Sequence, residues 1–135
     1  MKEGAFLNLR TTGDNLDFDY IDKITGLKPD VTFRKGQRIN DKHILKVIET
    51  DIWQSGYEVP EEQLLDDAVI NFLKPCENRK FFDWPKGARV EFYVSVYPTE
   101  RPTSVKFSKE LLKMFIDIQT SVSVVVTGLS DFHGG

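Results

Sequence analysis

Arg89-Val90-Glu91-Phe92-Tyr93-Val94-Ser95-Val96-Tyr97 alternates apolar and mostly polar residues from end to end. Successive side chains on a strand point to opposite faces. Val90, Phe92, Val94 and Val96 therefore share one face, and Arg89, Glu91, Tyr93, Ser95 and Tyr97 the other. A strand with one apolar and one mostly polar side belongs to a sheet covered on one face only, the habit of antiparallel sheets. The cover has to come from amphipathic helices, and the flanking sequence supplies them.

Downstream, Phe107-Ser108-Lys109-Glu110-Leu111-Leu112 opens a helix expected to run from about Lys109 to Gln119 and to bury Leu111, Leu112, Phe115 and Ile118. The last strand, Ser121 to Thr127, presents Val122, Val124 and Val126 together. Upstream, Leu64, Leu65, Ala68, Val69, Phe72 and Leu73 recur at helical spacing, opposite Asp66, Asp67 and Asn71. Pro60 suits the first turn of that helix and Pro75 its end. Before it, Ile44 to Tyr57 reads as one long strand, Lys35-Gly36-Gln37 as a turn, and Val31 to Arg34 as a brief strand. The first helix starts at Leu16-Asp17-Phe18-Asp19-Tyr20-Ile21 and stops at Gly26, with Pro29 beyond. Ala5 to Thr11 is the opening strand. Glu77 to Gly87 is the least regular stretch, and the tail from about residue 130 is expected to fray.

Two helix starts share one plan: a staple residue, a capping side chain, a free position, an acid, then two apolar residues. Leu16 to Ile21 and Phe107 to Leu112 both follow it, which fits either a duplicated strand–helix unit or convergence on good caps. The element order is β-α-β-β-α-β followed by α-β. The expectation is one α+β domain over residues 1–135: a mostly antiparallel sheet with helices on one face, a ferredoxin-like βαββαβ core and a C-terminal αβ unit.

Composition narrows function more than it names it. The chain has 135 residues, 40% hydrophobic and 29% charged, as in an ordinary globular domain. A net charge of −3 argues against nucleic-acid binding, which needs a clustered excess of Lys and Arg. No apolar run reaches the ~20 residues of a membrane span. The start, Met1-Lys2-Glu3-Gly4, lacks a signal peptide's apolar stretch, and the single Cys76 suits a reducing compartment. A cytoplasmic protein is expected.

Several segments taken together resemble a bacterial family known only as a domain of unknown function, DUF4279. They are Leu16-Asp17 through Ile24-Thr25-Gly26-Leu27-Lys28-Pro29, then Arg34-Lys35-Gly36 and Trp53. The likeness resumes at Gly87-Ala88-Arg89-Val90-Glu91-Phe92 and at Val105-Lys106-Phe107-Ser108-Lys109-Glu110-Leu111-Leu112. It departs at Val124-Val125-Val126, where the family tends to place an acid and a tyrosine. The resemblance implies a small intracellular α+β domain and brings no activity with it.

The candidate sites weigh against catalysis. His43, His133 and Cys76 share no metal-ligand spacing. Cys76 beside a helix C-terminus lacks what would stabilise a thiolate. No P-loop pattern occurs, and no cofactor is expected. What remains suits recognition. Arg34, Lys35 and Arg38 form the one basic cluster, either an anion cradle or a solvated hairpin tip. Asp66 and Asp67 could present an acidic face. Trp53, Tyr57, Phe81, Phe82 and Trp84 are either core plugs or anchors of a recognition surface. The expected function is a non-catalytic protein-binding module, of the immunity or antitoxin kind with a toxin-like partner. The alternative is a small-molecule sensor.

Overall fold

The structure, a computed structural model, describes residues 4–41, 43–60, 62–77, 84–97 and 106–126. Its central strand is β1 (Gly4–Gly13), followed by helix α1 (Phe18–Thr25), β2 (Val31–Phe33), β3 (Arg38–Asp41), β4 (Ile44–Val47) and β5 (Asp51–Val59). Helix α2 (Leu65–Glu77), β6 (Arg89–Tyr97), α3 (Lys109–Ile118) and β7 (Ser121–Val126) complete it. Five strands make one sheet in the order β2-β5-β1-β6-β7; β3 and β4 pair separately as a hairpin. Every neighbouring pair is antiparallel except β6 and β7, which α3 joins as a parallel crossover.

Register decides what the sheet buries. Leu7 and Leu9 on β1 stand opposite Val94 and Phe92 on β6, and Thr11 stands opposite Trp53 on β5. All of these but Thr11 share a hydrophobic core with Ile21 of α1, with Ala68, Val69 and Leu73 of α2, and with Leu111, Met114, Phe115 and Ile118 of α3. Phe92 sits between Phe72 and Phe115, with ring centroids 6.0 and 5.7 Å away. All three helices therefore cover one face. The chain is α+β with a mostly antiparallel sheet, as the alternation in Arg89–Tyr97 requires.

The caps form where the sequence places them. Asp17 Oδ1 accepts from the Tyr20 amide at 3.1 Å, and Ser108 Oγ from the Leu111 amide at 3.1 Å. Gly26 closes α1 in the left-handed conformation, with φ of 70°.

Four expectations need correction. The stretch from Ile44 to Tyr57 is two strands rather than one. Ile48 is buried and exchanges backbone hydrogen bonds with Gly36 and Gln37, which turns the chain between β4 and β5. Pro60 precedes α2 by a full turn instead of opening it. Pro75 lies inside α2. The carbonyl its missing N–H leaves free belongs to exposed Asn71, where water can satisfy it, while burial of Leu73 and Cys76 favours continuing the helix. Finally, Leu64 and Leu112 face solvent, and Met114 takes the core position expected of Leu112. The tail from about residue 130 lies outside the described residues.

Candidate functional site

Arg34 and Lys35 are drawn into a knot that the sequence does not announce. Asp51, the first residue of β5, is only 4% exposed and accepts three hydrogen bonds. They come from the Leu16 amide at 3.0 Å, the Lys35 amide at 2.8 Å and Arg34 Nη1 at 2.7 Å. Arg34 Nη1 also donates to the Leu16 carbonyl at 2.6 Å, and the guanidinium lies 3.8 Å above the Phe18 ring. Burial pushes the Asp51 carboxyl up. The Lys35 amide, Arg34 and the Leu16 amide outweigh that and hold it below the usual range. The knot ties the start of α1, the turn after β2 and the start of β5 together. Arg34 is thus engaged by the chain's own carboxylate, and the Lys35 and Arg38 side chains stand exposed.

The expected aromatic group is dispersed. Trp53 is fully buried, and its Nε1 donates to Asp22 Oδ1 at 2.8 Å, locking α1 onto the sheet. Trp84 packs against the core and donates from Nε1 to the Ile118 carbonyl at 2.7 Å, so it closes the end of α3. Tyr57 stacks on Phe72 with centroids 6.3 Å apart, and its hydroxyl meets Gln63 Oε1 at 3.1 Å. Phe81 and Phe82 lie outside the described residues. Asp66 Oδ1 accepts from the Ser108 amide at 3.1 Å and joins the starts of α2 and α3, whereas Asp67 remains exposed. The two acids therefore differ in kind: one is a strut, the other a surface charge.

What sequence reading missed is the hairpin. β3 and β4 pack chiefly on each other, and every residue of β4 is exposed. Ile44 is 68% exposed, Leu45 65% and Val47 51%. Cross-strand pairing places Leu45 and Val47 with Arg38 and Asn40 on one face, and Ile44 with Lys46 and Ile39 on the other. Its root is held by Gly36 N–H to Ile48 C=O at 2.8 Å and Ile48 N–H to Gln37 C=O at 2.9 Å. The tip has neither Asn nor Gly; His43 takes φ of 68° there instead, which is why no turn signal betrays it.

The sheet face away from the helices carries Asn8, Arg10, Gln54, Glu91 and Tyr93 in register. Tyr93 donates its hydroxyl to Glu91 Oε2 at 2.8 Å, and Arg89 Nε meets the other oxygen at 3.3 Å. Burial, and then Glu91, push the Tyr93 phenol above its usual range. Asn8 Oδ1 and Arg10 Nε are buried with no hydrogen-bond partner among the described residues. At the sheet's end, a cleft of about 590 Å³ is lined by Phe6, Glu58, Pro60 and Tyr97 with neighbouring backbone. Among the described residues no group of three His, Cys, Asp or Glu could hold a metal, and no helix is long and apolar enough to cross a membrane.

An α+β domain of this build, with a polar sheet face and an outlying hairpin, is what the geometry defines. The chain belongs to the family described as a domain of unknown function, DUF4279, whose model matches residues 3–128. No curated protein and no solved structure matches it.

Proposed function

We propose that this chain is a non-catalytic protein-binding module of the bacterial cytosol, one that masks a toxin-like protein in the manner of an immunity protein or antitoxin. The observation that carries the reading is the β3–β4 hairpin, which exposes Ile44, Leu45 and Val47 on a two-stranded unit with no core of its own. An isolated hairpin is marginal in water, so a partner that covers those side chains would stabilise it. Three of the described acids are occupied structurally: Asp51 by two amides and Arg34, Asp66 by the Ser108 amide, Glu91 by Tyr93 and Arg89. The net charge of −3 favours encounter with a basic partner by steering.

The test is affinity purification from the native host, followed by reconstitution with the purified partner. Binding should be lost in Leu45→Lys and retained in Asp67→Asn. Recovery of no specific partner, or full binding by Leu45→Lys, overturns the reading. A second reading, a small-molecule sensor, is supported by the cleft at Phe6, Glu58 and Tyr97 and by the unpaired atoms of Asn8 and Arg10. A saturable thermal shift with a metabolite, absent in Glu58→Gln or Arg10→Gln, would favour it.

A further inference from the structure

A two-stranded hairpin ordinarily rests one face on a core. The β3–β4 hairpin exposes aliphatic side chains on both: Ile44 on one face, Leu45 and Val47 on the other. A flat partner covers one face at a time, and only a concave one takes water off both. Charge says what lines that concavity. Residues 35–48 hold Lys35, Arg38, Lys42 and Lys46 against Asp41 alone, a charge of +3 in a chain of −3, so everything else carries −6. Arg34 lies outside this count and is engaged by Asp51. The cations are divided between the faces. Arg38 lies across from Val47, on the side of Leu45, and Lys46 lies across from Ile39, on the side of Ile44. Lys35, Arg38 and Lys46 are all exposed and have no ion pair among the described residues. The hairpin is a cationic, aliphatic finger on an acidic body.

We propose that the hairpin enters a cleft of its partner that is lined by carboxylates over an apolar floor, on a protein whose remaining surface is basic. The proposal rests on the hairpin being the surface that meets the partner, and it adds that partner's chemistry. Ile44, Leu45 and Val47 fill the floor. Arg38 and Lys46, whose stems can lie along apolar surface, deliver their charge to the walls on either side. The body supplies the other half of the description. Its −6 draws in basic surface, while screening within ~8 Å leaves the contact itself to the hairpin's own charge. The same pattern disfavours the other occupants that a cationic, aliphatic finger suits. An anionic bilayer or a nucleic acid attracts the hairpin but repels the body behind it.

The test titrates the whole chain, followed by its amide chemical shifts, with an alternating glutamate–leucine octapeptide and with the lysine–leucine counterpart. Amides of residues 35–48 should shift with the first only. Vesicles of phosphatidylserine and phosphatidylcholine at physiological salt should sediment without the protein. With the partner purified for reconstitution, Arg38→Glu and Lys46→Glu should each weaken binding by about tenfold or more, the low end for close charge pairs. Glu49→Lys, exposed beside the hairpin's root, should tighten it. A response of these amides to both peptides or to neither, a preference for the lysine peptide, vesicle binding, or charge reversals that leave the affinity unchanged overturn the proposal. Leu45→Ala alters no charge and separates the two possible failures. Binding lost in Leu45→Ala but kept in Arg38→Glu and Lys46→Glu removes the acidic cleft and leaves the hairpin as the contact surface; binding kept in Leu45→Ala removes both.

Discussion

Replacing Asp51 by Asn removes one charge and one acceptor at the point where three segments meet. The carboxylate accepts from the Leu16 amide at 3.0 Å on one oxygen and the Lys35 amide at 2.8 Å on the other. A carboxamide keeps a single oxygen, so one buried amide must face an NH2 group. An unmade buried hydrogen bond costs about 1–3 kcal/mol, and the bond that remains loses about 1 kcal/mol of charge assistance. The Arg34 side chain is half exposed, so its ion pair adds less than about 1 kcal/mol. The expected loss is about 3 kcal/mol, a sizeable part of the 5–15 kcal/mol typical of a domain. With an m-value of about 2 kcal/mol/M, the urea midpoint should fall by roughly 1.5 M at neutral pH.

The acid limb supplies an independent check with a definite sign. The native carboxyl is held below its usual value, so its contribution is complete above the unfolded pKa of about 3.9. As pH falls below that value the unfolded chain takes up a proton that the native state resists, and the contribution is lost through the folded pKa. Wild type and Asp51→Asn should therefore differ fully near neutrality and converge in acid. Urea titrations at a series of pH values read both effects. A midpoint for Asp51→Asn within about 0.3 M of wild type at pH 7, given the m-value above, or a gap that stays constant into acid, refutes the reasoning.

Other consequences follow from single contacts. Trp53→Phe loses the hydrogen bond to Asp22 and opens a void under α1, so it should cost about 2–3 kcal/mol, measured by the same titration. His43→Gly relieves the left-handed backbone at the hairpin tip and should stabilise the hairpin by up to about 1 kcal/mol, seen as slower amide exchange in β3 and β4. Tyr93 has a raised phenol pKa, so its contribution is present below the usual value of about 10 and lost as pH climbs through the folded value. Tyr93→Phe should flatten the alkaline limb of the stability curve, which urea midpoints above pH 9 would show.

Features with a local cause were legible in the sequence, and those that depend on closure were not. Asp17 and Ser108 cap because the groups they satisfy lie three residues away, and β6 alternates because its two faces meet different media. Asp51 gives no such clue: its partners are 35 and 16 residues distant, and an acid at the mouth of a strand ordinarily reads as a surface charge. Pro75 shows local preference losing to packing, since α2 continues past it to bury Cys76, whose thiol donates to the Thr25 carbonyl at 3.3 Å. The aromatic residues were visible but their direction was not. Trp53 points inward because register sets it opposite Thr11, and register belongs to the sheet rather than to the strand. The partner of Arg34 was hidden in the same way, since folding brings the Asp51 carboxylate to it from 17 residues away.

Two exposed features stand apart in strand order. The hairpin is rooted between β2 and β5, at one side of the sheet, while β7 forms the opposite edge of the described sheet. A partner seated on Ile44, Leu45 and Val47 therefore has no need to reach β7, and a substitution at one surface leaves the other intact. Under the proposed reading, altering Leu45 should abolish binding, whereas Val125→Lys at the far edge should leave it unchanged; equal loss in both variants would refute the assignment of the hairpin as the binding surface.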